Sequence, residues 1–195
     1  MLKREEMDAR DQLVQSAMRE YEAALVRYAY SILNDLDRAR DVVQDTFIRL
    51  YQQEPEKVAR AVKSWLFTVC RNRCFDVMRK ESRLVFVDEE VIRNRLGTDQ
   101  DPCKLLQRRE TKGEILRFLD RLPENQREVI RLKFQNDMTY KEISEVTNLS
   151  VSNVGFLIHT GLKRLRSLLE HHVNELVSGK FSNRFRFSGR VCLIA

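Results

Sequence analysis

Residues 139–154 read TYKEISEVTNLSVSNV, and the places of Thr139, Asn148 and Ser150 in that run decide the local fold. Thr139 and Glu142 have the spacing of a capping box, in which a hydroxyl and a carboxylate satisfy orphan amides at a helix start. Ile143 and Val146 share the inward face of the short helix that follows. Asn148 stands where a tight turn needs a left-handed residue, a conformation asparagine tolerates. Leu149 plugs the angle between two helices, and Ser150 can cap the second. The combination favours a helix-turn-helix over an ordinary helical hairpin.

Such a motif lays its second helix in the major groove, so the outward face of that helix carries the chemistry. Stepping 100° per residue from Ile158 puts Val151, Val154, Gly161, Leu162, Leu165 and Leu169 on the inward side. The opposite side holds Ser152, Asn153, Phe156, His159, Thr160, Lys163 and Arg164. Ser, Asn and His reach base edges or phosphates, whereas Lys163 and Arg164 chiefly neutralise phosphates. Phe156 has two readings: a core or partner contact, or packing on a thymine methyl or sugar. The first turn has no outward arginine, which predicts weak guanine readout.

Outward from this motif the chain is helical almost everywhere. Only 6 Gly and 3 Pro occur in 195 residues, which argues against turn-rich β architectures. The apolar periodicity predicts helices at about 11–33 (Leu13, Ala17, Tyr21, Ala24, Leu25, Tyr28 and Ile32 inward) and 37–52. A third should start after Ser64 as N-cap and run to about Glu81, and another should start at Glu124 and bury Val129, Ile130, Leu132 and Phe134. The fold class expected is all-α, two small helical domains joined by a flexible linker. The boundaries read as 1–88 for the first domain, 89–112 for the linker, 113–177 for the second and 178–195 for a basic aromatic tail.

Charge and cysteine usage narrow the function. Residues 111–195 hold 14 basic against 9 acidic side chains, while residues 1–88 hold 16 against 15; a basic C-terminal half suits a polyanion, most often nucleic acid. Leu66, Cys70, Cys74 and Val77 form one apolar stripe, making the two thiols core residues, and adjacent His171 and His172 cannot share a ligand set on a helix. No paired carboxylates, nucleophile–base set, metal cluster or phosphate loop stands out, so neither catalysis nor a cofactor is expected. No run approaches a membrane span and MLKREEMDARDQ has no apolar core, so a cytoplasmic location is expected.

In the first unit, the 37–52 helix puts Leu36, Val43, Phe47, Leu50 and Tyr51 on one face and Asp41, Asp45 and Gln52 on the other. An acid–amide face of that kind is ordinarily just solvated. The next helix sets Trp65, Thr68, Asn72, Phe75 and Arg79 opposite its buried stripe, flanked by Arg71 and Asp76. Aromatics among cations suit opened nucleic acid, where bases stack and phosphates are neutralised; the alternative has Trp65 and Phe75 packing on the first helix.

Four segments, RARDVVQDTFIRLYQ (38–52), SWLFTVCRNRCFDVMRK (64–80), LDRLPENQREVIRLKF (119–134) and MTYKEISEVTNLSVSNVGFLIHTGLKRLRSLL (138–169), together resemble bacterial RNA polymerase sigma factors of the extracytoplasmic-function (ECF) group over about residues 15–175. The resemblance implies sigma domain two and sigma domain four, with promoter DNA and the RNA polymerase core as partners. It implies docking on the β′ subunit through Asp41, Gln44, Asp45 and Ile48. It further implies recognition and opening of the −10 element by Arg71, Asn72, Asp76, Arg79 and Lys80, and −35 recognition by the helix at 151–166. Many relatives are held inactive by an anti-sigma protein, a further partner the resemblance admits. Where many relatives carry a Lys-Ser-Arg-like run, this chain has Gly155-Phe156-Leu157, so the −35 sequence does not transfer. The remaining alternatives are a helix-turn-helix regulator that never joins polymerase and an interaction protein that sequesters a partner.

Overall fold

The computed structural model describes residues 2–85 and 117–177. The linker at 89–112, Ile115 and Leu116, and the tail from 178 lie outside the described residues.

The element order is α1 (Leu2–Leu33), α2 (Leu36–Tyr51), α3 (Pro55–Val58), a 3₁₀ turn (Ala59–Ala61), α4 (Val62–Val85), α5 (Glu124–Gln135), α6 (Tyr140–Thr147) and α7 (Val151–Val177). No strand occurs among the described residues. α1 starts earlier than the apolar periodicity indicates, because residues 2–10 are good helix formers with no breaker. α1 and α2 are joined tightly: Asn34 takes a left-handed φ of 52°, and Asp35 caps α2 by accepting from the amides of Asp37 and Arg38 at 3.0 and 3.1 Å.

Ser64 is not the N-cap expected of it. Pro55 opens the one-turn helix α3, its fixed φ suiting a first helical position. The chain then runs through the 3₁₀ turn straight into α4 at Val62. Ser64 therefore lies inside continuous helical turns, buried, with its hydroxyl donating to the Ala61 carbonyl at 3.3 Å.

In the first unit α1, α2 and α4 pack mutually around Leu25, Phe47, Leu50, Leu66, Phe67, Cys70 and Cys74, all buried. The Cys70–Cys74 stripe is thus core, as its spacing indicates. In the second unit α5, α6 and α7 pack on one another around Val129, Leu132, Ile143, Val146, Val154 and Ile158. Phe134, expected inside, is 57% exposed in the last turn of α5; the buried side chain one turn earlier is Arg131. Val151 and Leu162 are also exposed rather than inward: the buried stripe of the helix is Val154, Ile158 and Gly161, with Leu157, Leu165 and Leu168 partly buried beside it. The two units touch: α4 packs on α6, and their buried apolar residues form one continuous cluster.

Candidate nucleic-acid interface

The helix-turn-helix forms as its sequence dictates. Thr139 Oγ1 accepts from the Glu142 amide at 3.2 Å, while the Glu142 carboxylate accepts from the Thr139 amide at 2.7 Å and its hydroxyl at 2.8 Å. Burial works against ionisation of Glu142, but the Thr139 hydrogen bonds, helped by Lys63 and Lys133, outweigh it and hold the carboxyl below its ordinary range. Asn148 sits at φ 57°, ψ 33°, so the chain turns without strain. Ser150 Oγ accepts from the Asn153 amide at 3.2 Å and starts α7.

α7 then presents Ser152, Asn153, Phe156, His159, Lys163 and Arg164 to solvent, with Phe156 64% exposed. The core-packing reading of Phe156 is excluded. Thr160 differs from the rest of the set. It is half-buried, its hydroxyl donates back to the Phe156 carbonyl at 2.8 Å, and it accepts from Gln126 Nε2 at 3.3 Å. Thr160 thus joins α7 to α5, and its hydroxyl is turned toward that contact.

On α4, Asn72, Arg79 and Lys80 are exposed and Asp76 is half-buried, paired with Arg79 at 3.4 Å. Arg71 stands apart. It lies over the Phe75 ring, 4.7 Å from its centre, and grips Glu128 of α5 with Nε at 2.8 Å and Nη2 at 3.2 Å. The Tyr28 hydroxyl donates to the same carboxylate at 2.7 Å. Burial first, then the Glu128 charge, pushes the Tyr28 phenol well above its usual value and keeps it a donor. Trp65 is half-buried against the core, whereas Phe75 borders the seam between the two units.

On α2, Asp41, Gln44 and Ile48 are exposed, and Ile48 and Gln44 line a cleft of about 600 Å³ with Val14, Met18, Val26 and Tyr51. Asp45 is paired with Arg73 of α4, so part of its charge serves the packing of its own unit. Sequence reasoning missed this cleft wall from α1. It also missed Glu128 and Arg131, and, although it placed Tyr28 inward, the hydrogen bond from Tyr28 to Glu128, because these partners are remote in the chain. The Phe- and Arg-rich tail lies outside the described residues.

Comparison with known proteins places this geometry. A family model described as Sigma-70 region 2 matches residues 17–84, and one described as Sigma-70, region 4 matches residues 112–165. The chain is 30% identical over 150 residues to the ECF RNA polymerase sigma factor SigM of Bacillus subtilis, covering 76% of this chain and 90% of that one. It is 30% identical over 171 residues to the ECF RNA polymerase sigma factor SigL of Mycobacterium tuberculosis, covering 81% and 89%. The fold matches that of sigma factor RpoE, solved in complex with the anti-sigma factor NepR from Bartonella quintana, with TM-score 0.60 and 23% identity over 80% of this chain and 96% of that one. It also matches CnrH, solved with the cytosolic domain of CnrY, with TM-score 0.56 and 22% identity over 85% and 97%. With both regions matched in order and relatives aligned over nearly their whole length, the chain belongs to the ECF RNA polymerase sigma factors.

Proposed function

We propose that this chain is a promoter-specificity subunit whose α7 reads the −35 element, whose α4 captures and helps open the −10 element, and whose α2 docks on the β′ subunit of the polymerase core. Family membership carries the coarser statement, that it acts in promoter-directed transcription initiation with RNA polymerase. The finer one rests chiefly on the outward face of α7, a capped recognition helix bearing Ser152, Asn153, Phe156, His159, Lys163 and Arg164. On α4 the candidates remain Arg71, Asn72, Asp76, Arg79 and Lys80. Unstacking DNA costs a few kcal/mol per step, which captured bases and phosphate contacts must offset without nucleotide hydrolysis. One relative in fold was solved with an anti-sigma factor, and a protein of that class is a proposed partner here too.

A regulator that never joins polymerase would need only α7. The cleft beside Gln44 and Ile48, walled by apolar side chains of α1 and α2, favours a chain that also seats a protein partner. The test is a pull-down with core polymerase. Asp45→Arg would set two cations together at Arg73, so exposed Asp41→Arg and Ile48→Arg are the cleaner variants. Both should lose core binding by at least about tenfold while keeping the helical circular dichroism. Retention of core by both would remove α2 as the docking face.

A further inference from the structure

One large apolar side chain on the proposed reading face of α7 has no duty inside the protein. Phe156 is 64% exposed and belongs to neither apolar cluster of the described residues. Its backbone, by contrast, is well supported. The Phe156 carbonyl accepts from the Thr160 hydroxyl at 2.8 Å, and Gly155 beside it faces the Tyr140 ring of α6. α7 is seated on both α5 and α6, so the ring is carried outward by a fixed helix rather than by a loop.

A single exposed apolar side chain is common and decides nothing by itself; the company it keeps does. Stepping about 100° per residue, Ser152, Asn153 and His159 fall within about 60° of Phe156, and all three are exposed. The exposed apolar residues Val151 and Leu162 lie more than about 100° round the helix from it. Phe156 is therefore an apolar point in a hydrogen-bonding surface, unlike the contiguous apolar patch that docks a protein. The major groove offers the complement: donors and acceptors along the base edges and one apolar group, the C5 methyl of thymine. From Val151 to Leu162 the helix has no arginine or lysine, the first cation being Lys163. Guanine, read best by a bidentate arginine or lysine, has no such reader here, whereas asparagine suits adenine and phenylalanine suits the thymine methyl. Asn153 and Phe156 stand about 4.5 Å apart along the helix axis, close to the rise of about 3.4 Å between stacked base pairs.

We infer that Phe156 is a specificity-determining residue: its ring packs on the C5 methyl of a thymine in the major groove and selects that base. The inference rests on the reading of α7 as the −35 helix, and adds to it which base is chosen and by which group. The contact is apolar and uncharged. The preference for thymine should therefore be the same at every salt concentration, whereas overall affinity falls with salt through the phosphate contacts.

The test uses the chain assembled with core polymerase. Duplexes are selected from a randomised pool, and each thymine of the best binder is replaced in turn by uracil, which removes the methyl and keeps every hydrogen-bonding group. Wild type should lose about fourfold in affinity at one thymine, the size expected for one buried methyl, and by the same factor at low and high salt. Phe156→Ala should bind the thymine and uracil forms of that position equally while keeping the helical circular dichroism. The base replacement itself needs no variant, so it decides the matter even if Phe156→Ala fails to fold. Thymine and uracil bound equally by wild type at every position, with binding still weakened by Asn153→Ala, leaves α7 as the −35 helix and overturns the thymine contact. A thymine preference that Phe156→Ala retains overturns it as well. Binding that neither Asn153→Ala nor Lys163→Ala alters takes down the underlying reading of α7, and the inference with it.

Discussion

Two glycines in α7 show how much a single Cβ can report. A Cβ at Gly155 would meet the Tyr140 ring at 3.5 Å, ordinary contact distance, while one at Gly161 would lie 2.7 Å from Ile130 Cδ1 and 3.3 Å from Gln126 Cβ. Replacing glycine by alanine inside a helix is worth up to about 1 kcal/mol in propensity. Gly155→Ala should therefore raise the urea midpoint. Gly161→Ala gains the same propensity but must push aside a buried isoleucine and a neighbouring stem, an overpacking cost of about 1–3 kcal/mol, and should lower it. Equal shifts in the two variants would mean that α5 does not seat on α7 as described. The spacing alone marked Gly161 as inward; that it is the point of closest approach to α5 depends on the crossing of two helices, which no local pattern encodes.

Elements whose instructions are local were legible. Thr139, Glu142, Asn148 and Ser150 act within a few residues of themselves, and each does what its chemistry and spacing imply. The capping box gives an expectation at this scale. Thr139→Ala should cost about 1 kcal/mol of stability, read by chemical denaturation. Glu142 carries a pH dependence with a definite sign. Its carboxyl is depressed in the folded chain, so it stabilises above the unfolded carboxylate value of about 4.3 and loses that contribution as pH falls through the folded value. The stability gap between wild type and Glu142→Gln should be full near neutrality and shrink below about pH 4.3. A gap that widened on acidification would contradict the hydrogen bonds from Thr139. What was not legible is equally physical. Ser64 looked like a cap because nothing in the sequence shows that Pro55 starts a turn feeding α4. Arg71 and Glu128 are 57 residues apart in sequence, so an ion pair between them follows from docking of the units and not from any periodicity.

At the scale of the whole molecule the packed units leave the two proposed reading faces unequal. Arg71 is engaged across the seam, yet Ser152, Asn153, His159, Lys163 and Arg164 face solvent, on the half of the chain that holds 14 basic against 9 acidic side chains. On the proposed reading, α7 should bind a −35 duplex. Phosphate contacts make that binding fall with salt, each neutralised phosphate contributing about 0.9 to the logarithmic slope. Lys163→Ala should weaken duplex binding regardless of sequence and reduce the slope by about one. Glu128→Gln lies at the seam, off the outward face of α7, and should leave the duplex slope where it was. Anisotropy titrations at several salt concentrations separate these effects. A Lys163→Ala slope equal to wild type would mean that this part of α7 does not approach the DNA backbone, and the groove-facing side of the helix would have to be redrawn around Ser152 and Asn153.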